Sequence, residues 1–381
     1  MPWQERHTMS LRREFVEMAR QEGANVRALC RHFEISPKTA YKWLSRFDAD
    51  DPHCLSDRSR QPLHWPARSA QALEQQVVAL RQEHPAWGGR KIARRLQDLG
   101  GCVVAPSTVT SILHRHGLIV AGVEGASAPL QRFEHERPNS LWQIDFKGRF
   151  STLEGACHPL TLLDDHSRFN LALQACIQTS NAQVQPLLQA VFRRYGIPVR
   201  INADNGAPWG SSKLPEVGLS QLTIWLIRLG IRVSHSRPYH PQTNGKLERF
   251  HRSMQAEVLA GRNFTGSAQA QRAFDRWREV YNLQRPHEAL AMHPPISRYR
   301  PSTLAYPEQL PAIEYADGDT VVQPNSSGFI RFKGRSWRIS QALGRLPVGI
   351  RQHPGVDGLF DVFFCHHRCA QLDMRTAETG L

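Results

Sequence analysis

Three acidic side chains stand where acids are costly or unexpected. Asp145 lies inside the otherwise uncharged stretch WQIDF, Asp204 ends VRINAD just before NGAPW, and Glu248 is the single acid among Lys246, Arg249 and Arg252 in HPQTNGKLERFH. A carboxylate on a strand is expensive to desolvate unless a cation or a polar partner holds it. Strand ends and helix starts are also where substrates meet an α/β sheet. Taken singly, each residue has an ordinary reading: a strand-end Asp forms a turn, and a helical Glu is a solvated surface group. Whether they act together depends on the elements that carry them.

WQIDF belongs to the alternating stretch SLWQIDFKGRF, with Leu141, Gln143 and Asp145 on one face and Trp142, Ile144 and Phe146 on the other, the period of a strand. HPLTLLDDHSR and NLALQACIQ read as two more strands, joined at a tight turn in which Asp164 and Asp165 are turn-forming. A helix over 181–195, the strand ending at Asp204, a helix within 217–230, the short strand RVSHS and a helix from Thr243 follow. The order β-β-β-α-β-α-β-α predicts a mixed sheet with helices on its faces. On the last helix Leu247, Phe250, Met254 and Val258 form an apolar stripe, while Asn244, Glu248, His251, Arg252 and Gln255 share the adjacent face.

Upstream, three short helices occupy residues 1–50. The third has Ser36 as N-cap and Pro37 at its first position, turns Ala40, Trp43, Leu44 and Phe47 inward, and leaves Lys38, Thr39, Tyr41, Lys42 and Arg46 outward. That is helix-turn-helix grammar, and those outward types can reach phosphates and base edges in a major groove. Residues 51–68 read as a linker that tracks a DNA backbone with Arg58, Arg60 and Arg68. A second helix-turn-helix unit is expected over 69–120, its last helix capped by Ser107, followed by a linker over 121–137. Downstream of the mixed domain at 138–262 come a basic helical extension over 263–310 and a tail, 320–373, rich in β-formers and Gly turns, for which a small β-barrel of about five strands is the economical reading. The cluster CHHRC, Cys365 to Cys369, has no second ligand pair nearby to complete a zinc site and reads as a strand with its turn.

The net charge of +14 is spread along most of the chain, which points to a polyanionic partner, and nucleic acid comes before membrane because no stretch is apolar enough to span or anchor. Seven scattered cysteines argue for a reducing compartment, and no secretory signal is visible, so a cytoplasmic protein is expected.

WQIDF, ADNGAPW and HPQTNGKLERFH, in that order after a run containing LLDDHSR, resemble the catalytic core shared by retroviral integrases and bacterial insertion-sequence transposases of the DDE class. The core resemblance covers residues 138–262, and the tandem helix-turn-helix units resemble the amino-terminal half of many such transposases. The resemblance implies a multidomain chain with an α/β RNase H-like core in which Asp145, Asp204 and Glu248 bind two Mg2+ ions, with Mn2+ able to substitute. It implies cleavage of an element's terminal repeats and their joining to target double-stranded DNA, by a homo-oligomer on paired ends. Within it, Asn244, Lys246 and Arg252 would position DNA, and Asp204 and Glu248, separated by residues 205–247, enclose a longer interval than is usual, read as a loop insertion in GAPWGSSKLPEVGLS. A catalytically inactive, domesticated relative acting as a sequence-specific regulator would lack at least one of the three carboxylates, and a nuclease of RNA–DNA hybrids would not need the tandem helix-turn-helix units. All three carboxylates are present.

Overall fold

Asn25 and Ser36 start the second and third helices by accepting hydrogen bonds from the amides of Ala28, at 3.1 Å, and Thr39, at 3.2 Å. The computed structural model describes residues 8–57, 69–101, 103–119, 134–210, 219–235 and 245–376. The chain divides into two units, Met1–Ser69 and Ala70–Leu381. The first contains α1 (Thr8–Ala19), α2 (Val26–His32) and α3 (Pro37–Leu44) around Phe15, Val16, Cys30, Ala40, Trp43 and Leu55. Leu55 is buried, and Arg12 bonds both its carbonyl, at 2.8 Å, and Asp57, at 2.9 Å. Residues 51–57 therefore belong to the folded unit and not to the linker expected from residue 51.

The second unit begins with α4 (Gln71–Glu83), α5 (Gly89–Asp98) and α6 (Pro106–Arg115), packed through Val77, Trp87, Ile92, Leu96, Val109, Ile112 and Leu113. Gly89 permits the close approach of α5 and α6, because a Cβ there would lie 2.3 Å from Thr110 Oγ1 and 2.7 Å from the Pro106 carbonyl. Ala105, not Ser107, is the N-cap of α6: Pro106 pre-sets the first helical position and puts Ser107 inside the first turn.

Four strands, not three, precede the first helix of the central domain: β1 (Trp142–Phe146), β2 (Phe150–Thr152), β3 (Gly155–Asp164) and β4 (Asn170–Cys176). The stretch that reads as one strand turns after Phe146, and its end pairs separately with the first residues of β3. Next come α7 (Asn181–Tyr195), β5 (Arg200–Ala203), α8 (Gln221–Arg228), β6 (Arg232–His235), α9 (Gly245–Met254) and α10 (Ser267–Leu283). The sheet is mixed as expected: β3 is antiparallel to β1, β2 and β4, while β1, β5 and β6 run parallel.

Each face of this sheet is covered. Trp142, Ile144, Leu162 and Ile201 pack with Val184, Leu188 and Phe192 of α7 and with Leu222 and Trp225 of α8. On the opposite face Leu163 and Leu173 meet Leu247, Phe250 and Met254 of α9 and Phe274, Trp277 and Tyr281 of α10. The apolar stripe expected on α9 is thus buried in full, and α10 belongs to the core instead of extending from it. After α9 the chain widens into a π-turn over Gln255–Leu259, where Glu257 accepts hydrogen bonds from Arg285 at 2.9 Å and Trp277 at 2.8 Å.

The tail holds β7 (Thr320–Val322), β8 (Phe329–Phe332), β9 (Arg335–Arg338), β10 (Val348–Gln352), β11 (Leu359–Phe364) and β12 (His367–Asp373). They form a four-stranded sheet, β12-β11-β10-β7, and a separate β8-β9 hairpin that share one core; among the described residues no ladder closes them into the barrel expected. Cys365, at a positive φ of 51°, makes the β11–β12 turn, as the turn reading of CHHRC expected. That core includes Ile224 and Ile227, which explains why α8 is apolar on all sides: the sheet takes one face and the tail the other. No helix among the described residues is long and apolar enough to cross a membrane.

Candidate functional site

Asp145 and Asp204 are brought level by the pairing of β1 with β5. Trp142 pairs with Ile201 and Gln143 with Asn202 in parallel register. Continued along both strands, that register sets Asp145 beside Asp204 on neighbouring strands about 4.8 Å apart. Glu248 lies on the exposed face of α9, which the buried stripe of that helix fixes against the same sheet.

The electrostatics carry the mark of this convergence. The Asp145 carboxyl is pushed up to about 6, first by burial, then by the charge of Asp204 and to a smaller extent that of Glu248, against the Phe146 amide, which donates to it. A raised carboxyl pKa means that the folded chain holds a proton the unfolded chain has released. Folding stability is therefore lost as pH rises from about 4 to 6 and stays lost above. Asp145→Asn is expected to stabilise the metal-free core by up to about 3 kcal/mol above pH 7 and by nothing below pH 4, read by urea unfolding across that range.

Hydrogen bonds fix both aspartates from the main chain outward. Thr161, directly opposite Asp145 in the β1–β3 register, donates from Oγ1 to the Asp145 carbonyl at 2.9 Å. His235, at the end of β6, donates from Nδ1 to the Asp204 carbonyl at 2.8 Å, and the Gly206 amide donates to Asp204 Oδ1 at 3.1 Å. A side chain at Gly206 would crowd that carboxylate, its Cβ standing 3.2 Å from Oδ2. The open side of Asp204 is kept free by the glycine of ADNG.

Three carboxylates of this kind are hard oxygen donors suited to Mg2+ or Mn2+, and the mutual repulsion felt at Asp145 is what a divalent cation would relieve. Among the described residues no three His, Cys, Asp or Glu side chains, as placed, stand close enough together to hold an ion. The donor set and its field fit the cation; a closed cage does not pre-exist.

Several expected DNA contacts have other partners. Lys246 forms an ion pair with Asp165, itself buried and also bonded to the Gln143 side chain and the His135 amide. Burial and the nearby Arg168 lower the Lys246 ammonium, against the pull of Asp165. This is a correction: the expected phosphate contact is an internal tie between α9 and the β3–β4 turn. Asp164, also buried, accepts from Ser167 and from the Asn139 amide at 2.7 Å, so the LLDDHSR turn is an interior clasp as well as a turn. Glu134 and His135, placed in a linker by sequence, are tied to this clasp through Arg168, at 2.9 Å, and Asp165. Arg252 is exposed beside Glu248, whereas Asn244, like Arg58, Arg60 and Arg68, lies outside the described residues.

On α3, Lys38 and Lys42 are exposed, as is Tyr41 at 61%. Thr39 is half-buried with its hydroxyl 3.0 Å from that of Ser36, and Arg46 packs over Trp43, 5.4 Å from the ring centre. Lys42, though exposed, also reaches over the Trp43 ring, 4.2 Å from its centre, so the groove-reading set expected there separates into Lys38 and Tyr41, which face outward, and three side chains with local partners. Sequence reasoning missed Thr161, His235 and Gly206, and ADNG offered the one readable signal among them, a glycine two residues after an acid.

Integrase core domain models match residues 135–241 and 229–295. A helix-turn-helix domain model matches 11–62, a homeodomain-like domain model 39–113, and the model of the IS481 family transposase C-terminal domain 319–380. A 39.2 kDa protein of insertion element IS476 from Xanthomonas euvesicatoria is 28% identical over 236 residues, 60% of this chain and 65% of that protein. The feline leukemia virus Gag-Pol polyprotein is 30% identical over 139 residues, 36% of this chain and 8% of the polyprotein. A 31.7 kDa protein of insertion element IS407 from Burkholderia multivorans is 25% identical over 241 residues, 61% of this chain and 83% of that protein. This chain therefore spans just under two thirds of the first relative and a small part of the viral polyprotein. Among solved structures, a simian T-cell lymphotropic virus intasome chain aligns with a TM-score of 0.37 at 16% identity, covering 77% of this chain and 99% of that one.

Proposed function

Because the chain belongs to the insertion-sequence transposases that carry a retroviral-integrase-like core, we propose that it binds the terminal repeats of its element and catalyses metal-dependent DNA strand cleavage and strand transfer. The observation that carries this reading is the meeting of three acids from separate elements: β1 and β5 bring Asp145 level with Asp204, and the charges of both Asp204 and Glu248 reach the Asp145 carboxyl. In this reading they hold two Mg2+ ions, which Mn2+ can replace. Such ions, when bound, activate an attacking water or 3′-hydroxyl and steady the leaving oxygen.

The chain's own groups prepare that site. Phe146 and Gly206 amides aim the two aspartates, Thr161 and His235 hold their backbones, and Arg252 presents charge to phosphate beside Glu248. No acyl or phosphoryl intermediate on the protein is needed, so one site serves both cutting with water and joining with the exposed 3′ end. Lys38, Tyr41 and Lys42 of α3 supply contacts to the terminal repeat, and copies of the chain assemble on paired ends. Lys38→Ala with Lys42→Ala is expected to lower affinity and to reduce the slope of log affinity against log salt by about 2, measured by fluorescence anisotropy across a salt titration.

The test incubates the full chain with a labelled element end, target DNA and Mg2+. Nicked ends and joined products support the reading. Specific binding with neither product, in Mg2+ or Mn2+, would point instead to a regulator that has lost its chemistry.

A further inference from the structure

A side-chain bridge through Thr161 of β3 links the helix of Glu248 to the strand of Asp145. His251 Nε2 lies 2.9 Å from Thr161 Oγ1, and the same hydroxyl is 2.9 Å from the Asp145 carbonyl. Thr161 has one hydroxyl hydrogen, and the carbonyl can only accept, so that hydrogen goes to Asp145. The hydroxyl must then accept from His251, which fixes the ring as the Nε2–H tautomer. Thr161 is fully buried, and His251 is largely enclosed, its edge set against Phe250 at 6.0 Å between centroids. Burial and the nearby Lys147 keep the ring neutral, pushing it down to about 4. His251 follows Glu248 by three residues and so sits on the same side of α9, one turn along.

We propose that His251 and Thr161 are positioning residues that set the distance between Glu248 and Asp145, and so the affinity of the pair for a divalent cation. The inference rests on the reading of those carboxylates as metal ligands. The apolar stripe of α9 fixes which face meets the sheet and the Lys246–Asp165 pair ties its first turn to the β3–β4 turn, but around Glu248 itself interchangeable hydrocarbon contacts specify position along the strand loosely. A directed hydrogen bond through a buried hydroxyl specifies it tightly. Groups that orient ligands without touching the metal change its affinity by about 10- to 100-fold when removed.

The test measures Mn2+ binding to the full chain by calorimetry, together with the Mg2+ concentration for half-maximal strand cleavage. His251→Leu and Thr161→Val are expected to weaken Mn2+ binding by about tenfold and to raise the Mg2+ requirement by a similar factor, with affinity for the element end unchanged. Thr161→Ser and His251→Gln, which restore the hydroxyl and a donor near Nε2, are expected to recover both to within about twofold. Mn2+ affinity and Mg2+ requirement like those of the native chain in folded His251→Leu and Thr161→Val would overturn the proposal. Should those two fail to fold, His251→Gln is compared with His251→Asn, whose donor is too short to reach Thr161; equal Mn2+ affinity in the two overturns it as well. Glu248→Gln separates the layers: if it binds Mn2+ like the native chain, the metal reading itself has failed, and not merely the bridge.

Discussion

Glu248→Gln is expected to abolish nicking and joining, by at least about a thousandfold, while leaving binding of the element end within about twofold of native. The substitution keeps the shape and hydrogen-bonding length of the side chain and removes one negative charge. Glu248 is exposed on α9, and its apolar neighbours Leu247 and Phe250, not its own carboxylate, hold the helix to the sheet. Folding should therefore be untouched, and loss of the reaction would be loss of chemistry. Gel assays on a labelled duplex, run beside anisotropy on the same duplex, separate the two. Activity within tenfold of native would remove Glu248 from the site.

Lys246→Met has the opposite signature. Its side chain is 17% exposed and that of its partner Asp165 only 2%, so removing the ammonium leaves a buried carboxylate that retains the Gln143 and His135 bonds but has lost its ion pair. Such a break costs about 3–5 kcal/mol, and chemical denaturation of the core should register it. The salt dependence of DNA binding should not change, because the ammonium is spent inside the protein. Adding Asp165→Asn should recover part of the loss, since a neutral amide in that pocket leaves no charge uncompensated. A mutant as stable as the native chain, with a flatter salt slope, would return Lys246 to the DNA surface.

The contrast between these two residues, two positions apart on one helix, shows how far the sequence could be read. Local chemistry was legible: the Ser36 cap with Pro37, the α7 boundaries, the buried stripe Leu247, Phe250, Met254 and Val258, and the three acids in their own short motifs each depend on neighbours a few residues away. Pairing across the sheet was not. Thr161 meets His251 from 90 residues away and Lys246 meets Asp165 from 81, and nothing in the spelling of either segment announces the other. The tail shows the same limit, for its β-forming residues are evident while the division into a four-stranded sheet and a hairpin is set by which strands find one another. The three acids stand out in the sequence and the groups behind them do not, because an acid on a strand advertises its cost whereas a threonine behind it looks like any other strand residue.

The central claim is that Asp145, Asp204 and Glu248 jointly hold divalent cations. Anomalous diffraction from crystals of the full chain soaked in Mn2+ tests it most directly. The expected map has manganese density held by the Asp145, Asp204 and Glu248 carboxylates and lost in Asp145→Asn. Manganese density that is absent from these side chains at saturating Mn2+, or that persists unchanged in Asp145→Asn, would contradict it.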